Sequence, residues 1–222
     1  MGVIQSTYKF LSFFSYKSRR AINIVRTKWR LIGNGVQFSR YRIVGIPIII
    51  NKGGRIVFGD NLQLNNGLAS NQIGINTPCV FRAENGSILI GKNVGISQSA
   101  LVAKGADIVI GDNVKLGGGV KIYTTDFHCL DYRKRRDPEI DLAERKYSSV
   151  SIEDDCFIGA GSFVLKGVTI GARSIIGAGS VVTKSIPADC MAAGNPCRII
   201  KSLTDCDPRT LSQNTHQPCY EY

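Results

Sequence analysis

From Ile152 the chain reads IEDDCF, IGAGSF, VLKGVT, IGARSI, IGAGSV and VTKSIP, six hexads without a slip as far as Pro187. Their first positions, Ile152, Ile158, Val164, Ile170, Ile176 and Val182, are all aliphatic. Their fifth positions, Cys156, Ser162, Val168, Ser174, Ser180 and Ile186, are mostly small. A helix needs apolar residues three and four apart and a half-buried strand needs every second one, so neither period explains a spacing of six. A triangular solenoid does: each hexad supplies one short strand, three hexads close a turn, and successive turns stack at about 4.8 Å. First-position aliphatics then fill the core and small fifth positions fit the corners. Glycine at the second position, as in Gly159, Gly171 and Gly177, reads as backbone held in a turn.

Working outward, the same grammar recurs less regularly. IGKNVG and ISQSAL start at Ile90, and IGDNVK, LGGGVK and IYTTDF start at Ile110 after a two-residue slip around Lys104 to Asp107. Phe58 to Leu64 reads as a degenerate earlier coil. The expected solenoid runs from about 43 to 187, in a domain of residues 43–203 preceded by a leader (1–42) and followed by a polar tail (204–222). An antiparallel sandwich with turns at multiples of six is the rival fold, and six obedient hexads argue against it.

The repeat vanishes between Tyr123 and Val150, giving a charged insertion at 124–149. Solenoids place such insertions on one face, often the binding face. This one carries His128; the other histidine, His216, lies in the tail. A lone histidine is more often structural, but imidazole can accept and return a proton near neutral pH. His128 is therefore the candidate general base. Asp126, two residues earlier, is placed either to orient the imidazole or to cap the loop.

The 222 residues carry 28 Lys plus Arg, 17 Asp plus Glu and 43% hydrophobic residues. That length suffices to bury a core, and no apolar run approaches the 18 or so residues of a membrane span. Charge is uneven: residues 1–55 hold eleven basic side chains and no acid, so the whole +11 belongs to the N-terminal quarter. Seven cysteines without a C-x-x-C pair suggest free thiols in a reducing cytosol rather than a zinc ribbon or disulfide framework. Residues 5–30 interleave aromatics and aliphatics with cations and read as one or two amphipathic helices. These either lie on an anionic membrane surface, which would place the protein on the inner face of the cytoplasmic membrane, or cap the open end of the solenoid. Nucleic-acid binding is not expected, since no recognition module is visible. Arg133-Lys134-Arg135-Arg136 reads as a solvated run balanced by Asp137, Glu139, Asp141 and Glu144, with a phosphorylated acceptor as the functional alternative.

The hexads, the histidine opening a loop, and the closing run IGAGSVVTKSIPADCMAAGNPCRIIK resemble the hexapeptide-repeat acyltransferases of the left-handed parallel β-helix fold. Within them the chain looks closest to galactoside and maltose acetyltransferases and to O-acetyltransferases of bacterial surface polysaccharides. The resemblance covers residues 85–203. It implies an all-β solenoid, a homotrimer with sites between neighbouring coils, and transfer of an acetyl group from acetyl-CoA to a sugar hydroxyl with His128 as base. It implies cofactor contacts at Ala160 and Ala178 through backbone amides, at Thr183 and Lys184, and at Lys201 toward the nucleotide phosphates. Ser99 aligns with an acceptor-contacting position, and glycine-rich amides of the IGAG turns are suppliers for the oxyanion. No metal is expected: the carbonic anhydrases of this fold need three histidine ligands. An N-acyltransferase acting on an amino sugar and a catalytically silent scaffold remain as rivals.

Overall fold

The structure, a computed structural model, describes residues 2–67 and 73–204; for 2–4, 7 and 10–19 only the helical backbone is described. The tail beyond Thr204, with His216, lies outside the described residues. Helix α1 (Gly2–Gly33) leads into three parallel sheets that form the sides of a prism. The first side holds Gln37–Phe38, Ile56–Phe58, Ile88–Ile90, Ile108–Ile110, Val150–Ile152 and Thr169–Ile170. The second holds Tyr41–Val44, Leu62–Asn65, Gly95–Ser97, Lys115–Leu116, Phe157–Ile158, Ile175–Ile176 and Cys190–Ala193, closed by the antiparallel Arg198–Ser202. The third holds Ile48–Lys52, Val80–Glu84, Ala100–Lys104, Lys121–Tyr123, Phe163–Val164 and Val181–Val182. This is the left-handed parallel β-helix that the hexads imply.

All six first-position aliphatics from Ile152 to Val182 are fully buried, and all six fifth positions are buried as well. One corner shows how the rule works: Ser162 and Ser180 are both fully buried, each with its hydroxyl donated to the Gly177 carbonyl, at 3.0 and 2.6 Å. A small hydroxyl thus satisfies the corner carbonyl that a methyl would leave unpaired. The second-position glycines work differently from expectation. Gly159 does not need a positive φ; a Cβ there would collide with the Ala178 amide of the next coil, so the constraint is stacking distance. The left-handed residue is the fourth of the hexad, Gly161 at φ +72.

Register explains the slip. Ser151 pairs with Thr169, an 18-residue coil, whereas Leu89 pairs with Val109, a 20-residue one. The two extra residues lengthen the third side, where Ala100–Lys104 alternates with Leu101 and Ala103 buried. Coiling also begins earlier than residue 43, because Gln37 and Phe38 already pair with Val57 and Phe58. The corner between first and second sides carries a polar ladder. Asn61 donates to Asn93, Asn93 to Asn113, and Asn113 to Asp155, at 3.0, 3.1 and 3.0 Å, all four residues at φ near +60.

Helix α1 is one helix, docked by its last turns. Thr27 and Leu31 are buried, Thr27 Oγ1 donates to the Gly45 carbonyl and Arg30 to that of Pro47. Asn51 then bonds both the side chain and the carbonyl of Asn34. The opposite stripe, Ile22, Val25, Trp29 and Ile32, is exposed at 51, 58, 78 and 60%. No described helix is long and apolar enough to cross a membrane.

Candidate active site

The insertion leaves the prism at the corner between its third and first sides, after Lys121–Tyr123 and before Val150–Ile152. Its two limbs are clamped at the root: Thr125 pairs with Tyr147, the Ser148 amide donates to the Thr124 carbonyl, and the Asp126 amide to that of Lys146. Helix α2 (Pro138–Ala143) stands within the loop, started by Asp137, whose carboxylate accepts from the Glu139 and Ile140 amides. Proline at its first position loses no hydrogen bond there.

That short helix aims Asp141 back at the first limb. Asp141 Oδ2 lies 2.7 Å from His128 Nδ1, and Oδ1 accepts the Cys129 amide at 2.6 Å. The hydrogen bond from His128, then that from Cys129, holds the Asp141 carboxyl below its ordinary value, so it is a carboxylate at neutral pH. A carboxylate only accepts, so Nδ1 carries a proton, and in the tautomer this selects Nε2 is the lone pair. The imidazole is 66% exposed while the Asp141 side chain is 10% exposed. The arrangement is a fixed, outward-facing imidazole with a buried orienting partner.

Asp126 is not that partner. Its carboxylate faces Lys166 at 3.4 Å, so the expectation that it orients the imidazole is corrected in favour of Asp141. Thirteen residues and a helical turn separate Asp141 from His128, so adjacency in sequence gave no hint of it. Ser99 also departs from expectation. It is a corner serine, 1% exposed, whose hydroxyl donates to the Ser97 and Gly117 carbonyls and so faces the coil interior rather than an acceptor.

On the second side a groove of about 560 Å³ runs between Phe157, Ile175, Met191 and Ile200, with Ala160, Ala178 and Lys201 among its lining. Three of the expected cofactor residues are thereby brought together. Thr183 and Lys184 are exposed beyond Val181–Val182 and do not line it. The small alanines leave space, the apolar walls suit an uncharged arm, and Lys201 offers a cation for a phosphate. The glycine amides expected to meet an oxyanion are otherwise occupied: Gly159 donates to the Ile176 carbonyl, Gly161 to Gly118, Gly177 to Ala192 and Gly179 to Ala160. The Ala160 and Ala178 amides form none of these coil-to-coil bonds.

Groove and imidazole stand at different corners of one chain. The groove reaches the corner between second and third sides at Ala160, and His128 hangs from the corner between third and first. The whole third side separates them.

A family model described as the hexapeptide repeat of succinyl-transferase matches residues 149–184, the regular hexads. The galactoside O-acetyltransferase of Escherichia coli is 35% identical over 131 residues, which cover 59% of this chain and 61% of that protein. A Saccharomyces cerevisiae protein whose name places it among the acetyltransferases is 40% identical over 134 residues, 60% of this chain and 65% of its own. The chain thus spans less than two thirds of the length of these curated relatives. A hexapeptide-repeat acetyltransferase of Vibrio cholerae, crystallised with acetyl coenzyme A, superposes over 81% of this chain and 77% of that one, at 30% identity and a TM-score of 0.51. The chain belongs to the hexapeptide-repeat acyltransferases.

Proposed function

We propose that the protein is an O-acetyltransferase that moves the acetyl group of acetyl-CoA to a hydroxyl of a saccharide in a surface polysaccharide or its precursor. The observation that carries this reading is the exposed His128 imidazole, locked by Asp141 with Nε2 outward. In the proposed reaction Nε2 takes the proton of the acceptor hydroxyl as its oxygen bonds to the thioester carbonyl carbon. When the carbon–sulfur bond breaks, the same proton passes to the departing thiolate. The groove holds the acyl carrier: Ala160 and Ala178 through their amides, Lys201 toward the nucleotide phosphates, and Thr183 and Lys184 at the far corner if the carrier extends there.

Because groove and base lie at separate corners, the reading calls for a homotrimer in which one subunit's His128 meets a neighbour's groove. The galactoside O-acetyltransferase name of one relative supports oxygen as the acylated atom. The leader is read as a peripheral anchor on an anionic membrane, on the strength of the exposed stripe of α1.

The test is thiol release from acetyl-CoA scanned over sugars and amino sugars. Wild-type protein should turn over a hydroxyl acceptor, and His128→Ala, still folded, should lose about 10²–10⁴-fold. Release only with amino sugars would favour the N-acyltransferase. Failure of every acceptor to elicit release would leave the silent scaffold, and release indifferent to His128 would remove His128 as the base.

A further inference from the structure

A second cleft, of about 580 Å³, lies at the corner from which the catalytic loop departs. Its lining includes Lys52, Glu84, Lys104 and Gly105 from the ends of three successive third-side strands, and Arg145 and Tyr147 from the returning limb of the loop. The charge is lopsided. Glu84, half-buried, is bonded by Arg82 and paired with Lys104 at 3.1 Å, so the cleft's carboxylate is already answered. Lys52 and Arg145 have no acidic partner among the described residues. Arg145 is nonetheless held in place: its Nε donates to the Leu142 carbonyl at 3.0 Å and its guanidinium lies 5.9 Å from the Tyr147 ring. That leaves the terminal nitrogens of a positioned fork unspent. Tyr147 in turn presses on Gly105, where a Cβ would come within 2.7 Å of the ring, so the wall and floor of the cleft fit only with glycine there.

The cleft is joined to His128 through the root of the loop, where its two limbs form an isolated antiparallel bridge between Thr125 and Tyr147. The Asp126 amide bonds the Lys146 carbonyl at 3.3 Å, so Arg145 is one residue beyond that rung on one limb and His128 two residues beyond it on the other. Both residues thus follow closely on the clamped root of one loop.

We infer that this cleft is an acceptor subsite for an anionic oxygen group, a phosphate ester or a carboxylate, carried by the saccharide whose hydroxyl faces His128. A positioned guanidinium and an ammonium with no acid of their own are suited to several anionic oxygens at once. The inference rests on the acetyl-transfer reading for its acceptor but not for its ligand chemistry.

The experiment is calorimetric binding of glucose 1-phosphate, uridine diphosphate glucose, glucuronate and glucose to the full chain. Wild type, Lys52→Ala/Arg145→Ala, Lys52→Arg and His128→Ala are compared, each checked for an unchanged melting temperature. Charged probes should bind over glucose, and the double variant should weaken them about tenfold or more. Lys52→Arg and His128→Ala should retain them. Preference for the two phosphate probes, or for glucuronate, identifies the group. Equal binding of glucose and the charged probes, or no change in the double variant, overturns the inference. In thiol-release assays with the charged acceptors, the double variant should raise KM and spare kcat. If charged probes bind as described but no acceptor gives His128-dependent release, acetyl transfer fails and the anion subsite stands.

Discussion

Asp141 Oδ2 and His128 Nδ1 meet at 2.7 Å across the loop, and the same carboxylate pins the amide of buried Cys129. One side chain thus sets both the ring's tautomer and the backbone that bears it. Asp141→Asn can still fill the space, but its amide NH₂ can donate to Nδ1 and favour the tautomer with Nε2 protonated, which cannot accept a proton. Turnover should fall by about 10²–10⁴-fold with KM for acetyl-CoA little changed, and the Asp141→Asn/His128→Ala double variant should be no worse than His128→Ala alone, since the pair acts as a unit. Additive losses would mean that Asp141 serves some step apart from the imidazole.

The same pair has an acid limit. Asp141 titrates below its ordinary value when folded, so its contribution is fully present above the unfolded carboxylate value of about 3.9 and fades as pH falls through the depressed folded one. Wild type should therefore melt above Asp141→Asn at pH 6, and the gap should close on acidification below about pH 4. Thermal melts of both proteins across that range decide it, and a gap that widens toward acid would contradict the assignment.

If one subunit's base serves a neighbour's groove, two dead variants should rescue each other. Ala178→Trp fills the groove and His128→Ala removes the base, so each homotrimer should be inactive. Mixed and reassembled at equal amounts, the two should recover about a quarter of wild-type activity, the share of sites that draw both intact halves by chance. No recovery in trimers shown to be mixed would place base and groove on one chain.

The core was readable from residue types alone because a period of six leaves little freedom. Every aliphatic at a first position from Ile152 onward is buried, and the small fifth positions fill the corners. Reading weakened where coils lengthen to 20 residues, since two additional residues in Ala100–Lys104 shift the frame without leaving a turn signal. His128 was legible as a histidine at a break in the repeat. Its partner was not, because Asp141 reaches it only through the fold of a loop whose helix begins at an Asp-Pro step. Ser99 misled for a related reason. A serine in a hexad looks the same in sequence whether it bonds a ligand or, as here, two corner carbonyls.

The corner ladder allows conformational strain to be separated from hydrogen bonding. Asn113 sits at φ +60, accepts from Asn93 and donates to Asp155, on an exposed edge where such bonds are worth little. Asn113→Ala should cost about 1–2 kcal/mol, because alanine keeps the Cβ in the left-handed region but lacks the polar side chain that lets asparagine tolerate it, while Asn113→Gly loses the same bonds but also sheds the Cβ and should cost distinctly less. Calorimetric melts compare them, and equal losses would assign the stability to the bonds instead.

Trp29 is the chain's one tryptophan and is 78% exposed, on the side of α1 opposite buried Thr27 and Leu31. With Ile22, Val25 and Ile32 it makes an apolar ridge flanked by Arg26 and Lys28, the pattern of a helix lying in a bilayer interface. A helix that only capped the prism would bury its apolar side against the first coil, and here that side is turned outward. Tryptophan emission should therefore shift to the blue when vesicles rich in phosphatidylserine are added, stay put with phosphatidylcholine, and revert as salt screens the attraction. Trp29 would report loss of binding in Arg26→Glu/Lys28→Glu, a variant that leaves the ridge itself intact. An unchanged spectrum with anionic vesicles would rule out the lipid reading, and a ridge already shielded from aqueous quenchers before vesicles are added would show that another protein surface covers this face.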